Sequence, residues 1–489
     1  MFIPAGESRN VTLPKEVVLT AEYQDQIQDC VYVTSDEDIT VQVYNDVHHR
    51  SMDGFLALPI ETLGKEYIVM TYVPWTQSQV ALIALEDNTH ITITPTVPLQ
   101  IATRITPKGL PVTISLDQLK VRQLICRECD FTGTKIMSDK PIAVISGNRC
   151  TFIPDVSIDS CDTLVEQLIP VNKWGTTFAL TPIPGRSMQI GNHYRVMAAR
   201  YGTEVSIGPR SVLLKPGQYH EFTIPNNEST LAVANKPVLL SQFITGFDTD
   251  NITGDPSMTI IPAVEHRVTS ANIATYDMTR DQTWMSNYIT ISADCNQLSN
   301  ITFDDQPLID IHEPNVIDLS GICFVSMNIQ SGTHHIRGYS NESTFSAIQY
   351  GFAEYNSYAH PVALSLVNTL CVTKSSAGDR IEHNCDEKVL VVELPYTGTY
   401  PPPAVNGNCD YSECVSPAVV IAIGAACAAL AVSLELIIRY KVNKDRPTGH
   451  TLSPGDLKQL KAERRVTRME QQGKITTTTS PALYDDTVY

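Results

Sequence analysis

Cys150 and Cys161 bracket ten residues in the stretch GNRCTFIPDVSIDSCDTLVEQLIPVNKWG, with an acidic pair, Asp159 and Asp162, beside the second cysteine. Zinc would want thiolates and imidazoles in closely spaced pairs. Cys126-Arg127-Glu128-Cys129 supplies one such pair, but ten residues is a poor ligand spacing for the second, and no histidine lies nearby. A redox CxxC needs a helix N-terminus to lower a thiol pKa, and this one sits in a strand-rich region. A cysteine nucleophile needs a distant histidine and an orienting group, and oxidation to a disulfide would remove the thiol. Neither a G-x-S-x-G elbow nor a phosphate loop occurs. The histidine pairs in VHHR, from Val47, and THHI, from Thr333, fall on strand-like segments where neighbours face opposite ways; they are expected at the surface, unable to chelate one ion. Asp304-Asp305 and Asp485-Asp486 read as solvated turns. No catalytic residue, resident metal or cofactor is therefore expected.

The chemistry left is cross-linking. Closing Cys150 to Cys161 makes a loop of about 12 residues, worth roughly 3 kcal/mol in the chain-entropy account. The loop tip TFIPDVSID would stay exposed, a constrained contact surface. Nearest-neighbour pairing adds Cys126 to Cys129, Cys295 to Cys323, Cys371 to Cys385 and Cys409 to Cys414, leaving Cys30 alone, to pair upstream or between chains. After Cys161, Thr163-Leu164-Val165-Glu166 has the form of a capping box and predicts a helical turn.

Cross-links require an oxidising compartment, and the rest of the sequence points to one. Val415–Ile438 is a 24-residue apolar run with no charge before Glu435, long enough as a helix to span a membrane. Arg439, Lys441, Lys444 and Arg446 follow it, so the positive-inside rule puts the 51-residue tail in the cytoplasm and the N-terminal part outside. Eleven of the twelve cysteines and all five sequons, at Asn10, Asn227, Asn251, Asn300 and Asn341, fall on the outer side. The net charge of −18 divides into +4 on the tail and −22 on the remainder, which excludes nucleic acid as a partner and disfavours anionic glycans. The start, MFIPAGESRNVTLPKE, lacks the basic and apolar regions of a signal peptide, so a further upstream segment is expected. Gly424-x-x-x-Ala428 would let two spans approach closely in a homo-association.

The elements that must position these cysteines are strands: EYIVMTYV, QVALIALE, KPIAVIS, RVMAARY, YITISA and FSAIQYGF, separated by Pro, Gly, Asn and Asp turns. Similar openings recur at Pro59, Pro170 and Pro262, 111 and 92 residues apart, and the half-motif MSDKPIAVISGN returns as VANKPVLLSQFITG. The expected fold is all-β, as tandem β-sandwich-like repeats of about 100 residues, ahead of a propeller of half-units. The expected divisions are an incomplete β unit at 1–53, repeats over 54–361, a Cys-bearing stalk at 362–414, a transmembrane helix at 415–438 and a disordered tail at 439–489.

KPIAVISGNRC, CDTLVEQLIPVNKWGTTFALTPIPGR, YRVMAARYGTEVSI and QYGFAEYNSYAHP together resemble the IgGFc-binding protein N-terminal domain family over about Gly54 to Pro361, although Thr163 stands where members often have histidine. The resemblance implies a secreted or cell-surface β-rich adhesion or binding module. The combined expectation is a non-catalytic type I single-pass glycoprotein of the plasma membrane whose ectodomain binds an extracellular protein or glycoprotein ligand. An ectoenzyme with a site between repeats and a structural coat protein are the alternatives.

Overall fold

The computed structural model describes residues 1–14, 27–46, 51–157, 160–246, 253–276, 285–317 and 320–366, with the backbone of the short strands Cys371–Lys374, Arg380–His383 and Ala418–Ile421. Across them the chain is all-β: besides single 3-10 turns and the four-residue helix Leu308–Ile311, the regular elements are strands.

Strands β1 (Gln42–Asp46) and β2 (Met52–Leu56) pair ahead of the first full repeat. That repeat comprises β3 (Gly64–Ile68), β4 (Gln77–Ala84), β5 (Thr89–Thr94), β6 (Val112–Leu116), β7 (Lys120–Arg127) and the 17-residue β8 (Lys135–Thr151), in the order β7-β4-β8-β5-β6 with β3 also on β8. β9 (Asp162–Gln167) then returns alongside the far end of β8. The second repeat copies this plan with β10 (Gly175–Leu180), β11 (Gly191–Ala198), β12 (Thr203–Ile207), β13 (Arg210–Leu214), β14 (Tyr219–Pro225) and the 15-residue β15 (Thr230–Ile244), followed by β16 (Ser257–Ile260).

The recurring Lys-Pro explains the long strands. β8 pairs β5 as far as Ser138 and takes β4 from Ile142; β15 pairs β12 as far as Ala234 and takes β11 from Val238. Pro141 and Pro237 lie in these gaps, where a residue without an N–H costs no ladder bond. Each long strand thus changes partners at its proline and carries one curled sheet around the core. Tandem sandwiches would have two separate sheets per repeat, and the first two repeats depart from that. The third does divide: β17 (Ser270–Ala274), β19 (Ile301–Phe303) and β21 (Thr333–Gly338) share one sheet, while β18 (Ser286–Asp294), β20 (Ile322–Ile329), β22 (Phe345–Ala353) and β23 (Asn356–Pro361) share another. There a turn over 339–344 replaces the Lys-Pro bend between β21 and β22.

Four strands, β2, β9, β16 and β23, pack around a common centre, each paired on one side to the strand that precedes it and none laddered to another of the four. Their open edges bring buried N–H groups that must find acceptors. Carboxylates supply them. Asp53 on β2 accepts from the amides of Gly54 (2.9 Å), Val165 (3.0 Å) and Met258 (3.1 Å) and from the Ser257 hydroxyl (2.7 Å). Asp162 accepts from the Met52 amide at 3.0 Å and Glu166 from the Ile260 amide at 2.9 Å. This corrects the capping-box reading: Thr163 to Glu166 form β9, not a helical turn, because Thr163 donates to Asn148 O on β8 and Glu166 is spent on β16. Gly147 permits the close approach of β8 and β9, since a Cβ there would stand 1.7 Å from Leu164 O.

The centre is tuned by burial. It pushes Asp53, Asp162 and Glu166 well up, against the donors that pull them down, and the nearby Asp255 carboxylate adds to the rise at Asp162. Burial pushes the His360 imidazole of β23 down to about 4, only partly offset by its contact with Pro361 O, while its Nε2 lies 3.1 Å from the Tyr44 hydroxyl. An imidazole that titrates near 6.5 when unfolded and lower when folded binds protons preferentially in the unfolded chain. Its contribution, on the order of 3 kcal/mol, is whole above pH 6.5 and lost as pH falls through 4. The raised carboxyls act in the opposite sense, losing stability as pH rises, so the difference between chains isolates the histidine. Between pH 7 and pH 4, the stability gap between wild type and His360→Gln in urea unfolding is expected to close by about 2–3 kcal/mol. A gap independent of pH would refute this.

The segment expected to span the membrane is described only at Ala418–Ile421. These four residues are a strand antiparallel to Val31–Thr34, so the helix expected over 415–438 does not hold there; β-branched Val419, Val420 and Ile421 suit a ladder. The remainder of that segment, the tail and most of the stalk lie outside the described residues, as do Asn251 and His48-His49. Among the described residues no helix is long and apolar enough to cross a membrane.

Candidate binding surface

Cys150, the last residue but one of β8, is bonded to Cys161, which precedes β9, with Cα atoms 5.3 Å apart. The loop between them is tied to the strand connection before β4: the amide of Trp75 donates to Cys150 O (2.9 Å), and the Thr151 hydroxyl donates to Val73 O. The Tyr72 hydroxyl donates to Pro154 O at 3.2 Å, and the Gly246 amide reaches Ile153 O from the second repeat at 3.2 Å. Beside the exposed Asp155 and Ser157, much of what faces outward is apolar. Val73 is 59% exposed, Trp75 48% and Val156 52%, with Phe152 meeting Trp75 edge-on at 5.4 Å between centroids. Burial lowers the His193 imidazole, against the opposing pull of Glu221 and Asp155.

Beneath this face sits Arg195 of β11, whose side chain is 2% exposed. Its Nη1 donates to Asp130 Oδ2 (2.8 Å) and Thr71 O (2.8 Å), and its Nε donates to Glu221 Oε2 (2.8 Å). The guanidinium lies 4.4 Å from the ring centre of Tyr72 and 4.6 Å from that of Tyr219. Burial would push Asp130 up, yet Arg195 and the hydroxyls of Thr132 and Thr71 outweigh it and hold the carboxyl below its ordinary value. Asp130 directly follows the Cys126–Cys129 disulfide, whose three-residue span fixes the turn that presents it. One side chain of the second repeat is thereby knotted to the first, with Tyr72 passing the rigidity to the stapled loop.

The third disulfide, Cys295–Cys323, crosses the far end of the β18–β20 pair. Cys30 makes no disulfide with a described residue, and burial pushes its thiol up to about 11. Cys371–Cys385 and Cys409–Cys414 fall outside the residues whose side chains are described. Asn10, Asn227, Asn300 and Asn341 are all exposed. Of the THHI pair, His335 is at the surface as expected but His334 is not: it is buried against Phe303, with Nδ1 2.7 Å from Asp304 Oδ2 and Nε2 2.8 Å from Gln330 O. The strand alternation is intact; the inward position is filled by a hydrogen-bonded imidazole. Among the described residues, no group of three or more His, Cys, Asp and Glu could hold a metal ion.

The comparison with known proteins bears on this arrangement. The family model described as IgGFc binding protein matches residues 53–351, more than half of the chain. This chain belongs to the IgGFc-binding protein family. The IgGFc-binding protein of Homo sapiens is 26% identical over 245 residues, which is 48% of this chain and 4% of the human protein. The IgGFc-binding match takes in the stapled loop, the Arg195 knot and the three disulfides found among the described residues, and it begins at Asp53 itself. Arg195, Asp130 and the central carboxylates were missed as organising residues by sequence reasoning. For the central carboxylates, the signal that could have found them is acids recurring four to eight residues ahead of Pro59, Pro170 and Pro262, namely Asp53, Asp162 with Glu166, and Asp255; nothing comparable marks Arg195 or Asp130.

Proposed function

We propose that this chain is a non-catalytic type I single-pass cell-surface glycoprotein whose β ectodomain binds an extracellular protein through the Trp75–Phe152 face. The observation that carries the reading is an exposed aromatic and aliphatic patch on a loop closed by a disulfide and braced from below: rigid aromatic anchors are what protein contacts draw their energy from. Membership of a binding family supports it, as do the five sequons and the apolar run. With Ala418–Ile421 extended, the 17 residues from Ala422 to Ile438, apolar but for Ser433 and Glu435, still reach about 26 Å as a helix, at the short end of what crosses a bilayer. The human relative is named for binding IgG Fc, which makes the Fc fragment the first ligand to try.

The test uses the full chain in animal cells, with fluorescent Fc as probe and epitope tags at both ends. The expected result is an N-terminal tag stained on intact cells, a C-terminal tag stained only after permeabilisation, and Fc capture that falls at least tenfold in Trp75→Ala at equal surface level, about 1.4 kcal/mol or more. Capture unchanged by Trp75→Ala removes this face, absence of capture removes Fc as ligand, and a C-terminal tag reached from outside removes the topology.

A further inference from the structure

Two of the sequons converge in the third repeat. Asn300 immediately precedes β19 and Asn341 lies on the turn between β21 and β22, yet the amide of Tyr339 donates to Asn300 O at 2.9 Å. Gln297 Oε1 accepts from both sites, from Asn300 Nδ2 and from the Ser343 hydroxyl, each at 3.2 Å. The turn itself is tight: the Ser343 amide donates to Ser340 O at 3.0 Å, and Gly338 is needed because a Cβ there would meet Ser343 O at 2.0 Å. This is the place where the first two repeats run straight through a Lys-Pro bend, so the turn is an addition peculiar to the third. At its shoulder Tyr339, two residues before Asn341, is 69% exposed.

We propose that Asn300 and Asn341 carry neighbouring N-linked glycans and that the core sugar on Asn341 lies across the ring of Tyr339. This rests on the extracellular reading above. A pyranose presents a face of C–H groups, and the electron-rich face of an aromatic ring is their natural partner. Tyr339 is available for it, and the tight turn holds ring and acceptor two residues apart. In the transfer, the Asn341 amide nitrogen bonds to the anomeric carbon of a polyprenyl-diphosphate oligosaccharide. The bond from that carbon to phosphate oxygen breaks, the diphosphate leaves with the electron pair, and the nitrogen gives up one proton. The hydroxyl residues that complete the two sequons, Thr302 and Ser343, are 3% and 0% exposed, so both transfers precede closure of the third repeat, while the asparagines remain outside to carry the sugars.

Glycopeptide mass spectrometry on the full chain from animal cells, with its thermal unfolding midpoint measured in detergent, tests this. Expected are occupancy of both asparagines and a midpoint lowered by about 1–3 °C in Asn341→Gln, the shift vanishing when the same change is made in Tyr339→Ala. A shift equal in the two backgrounds, or none in either, overturns the stacking. Bare Asn300 or Asn341 alongside occupied Asn10 or Asn227 overturns the cluster and leaves the extracellular reading standing. If every sequon is bare, the extracellular reading fails first. The substituted positions are exposed, so none of the variants removes core contacts.

Discussion

Replacing Arg195 with methionine should lower the unfolding free energy by about 3–5 kcal/mol, the cost of breaking a buried ion pair by removing one partner. The magnitude turns on which arm of the network is dry. Glu221 is 40% exposed, so its bond to Nε contributes little beyond an ordinary surface pair. Asp130 is 17% exposed, and without the guanidinium its charge keeps only the Thr71 and Thr132 hydroxyls and the Thr132 amide. Methionine fills much of the space between Tyr72 and Tyr219 but leaves that carboxylate uncompensated. Adding Asp130→Asn to Arg195→Met should therefore recover part of the loss, with a coupling of at least 1 kcal/mol in the double-mutant cycle. Lysine should not rescue, because one ammonium cannot serve Asp130, Thr71 O and Glu221 together. Chemical unfolding of the four chains of the cycle and of Arg195→Lys supplies the numbers. A loss below 1 kcal/mol for Arg195→Met would mean that the packing, not the charge, joins the first two repeats. Because Tyr72 connects the knot to Pro154, the stapled loop should also become more sensitive to limited proteolysis in Arg195→Met, even under conditions where the chain remains folded.

What could be seen in the linear chain was what repeats locally. Pro59 and Pro170 each stand three residues past the end of a central strand and cap the 3-10 turn that starts the next repeat, and the third such turn starts two residues after Pro262. The strand segments were legible because apolar runs of five to nine residues between turn formers admit little else. The partner exchange at Lys-Pro was visible as a repeated half-motif, though not as a bend. The organising polar residues were not legible, for a reason of distance. Arg195 finds Asp130 65 residues back, and Asp53 finds its donors 112 and 205 residues ahead. No local period records such pairs, and an acid inside an apolar strand looks like an outward position until the open edge it serves is known. The Thr163 to Glu166 motif failed similarly: a local capping pattern yields when the same side chains have acceptors and donors on two neighbouring strands.

Truncating Asp53 to alanine should be as damaging as loss of Arg195, about 3–5 kcal/mol, and here the cost falls on the backbone. The carboxylate divides its four donors evenly: Oδ1 takes the Gly54 amide and the Ser257 hydroxyl, while Oδ2 takes the amides of Val165 and Met258. Those last two belong to β9 and β16, whose edges face the centre without a ladder partner. In Asp53→Ala they remain buried with no acceptor, at about 1–3 kcal/mol each, and the small cavity adds to this. Relief from burying a carboxyl offsets only part, because Asp53 is fully enclosed and its donors were arranged for an acceptor. Asp53→Asn keeps half of this arrangement. Its carbonyl oxygen can take the place of Oδ2 and accept from Val165 and Met258, while its amide on the Oδ1 side can donate to the Ser257 hydroxyl but leaves the Gly54 N–H without an acceptor. Asparagine should therefore cost less than alanine, by about the two strand amides that it still satisfies. Urea unfolding at pH 7 of the wild type and both variants checks this, and an alanine variant within 1 kcal/mol of wild type would show that the central strands are held by their apolar contacts alone.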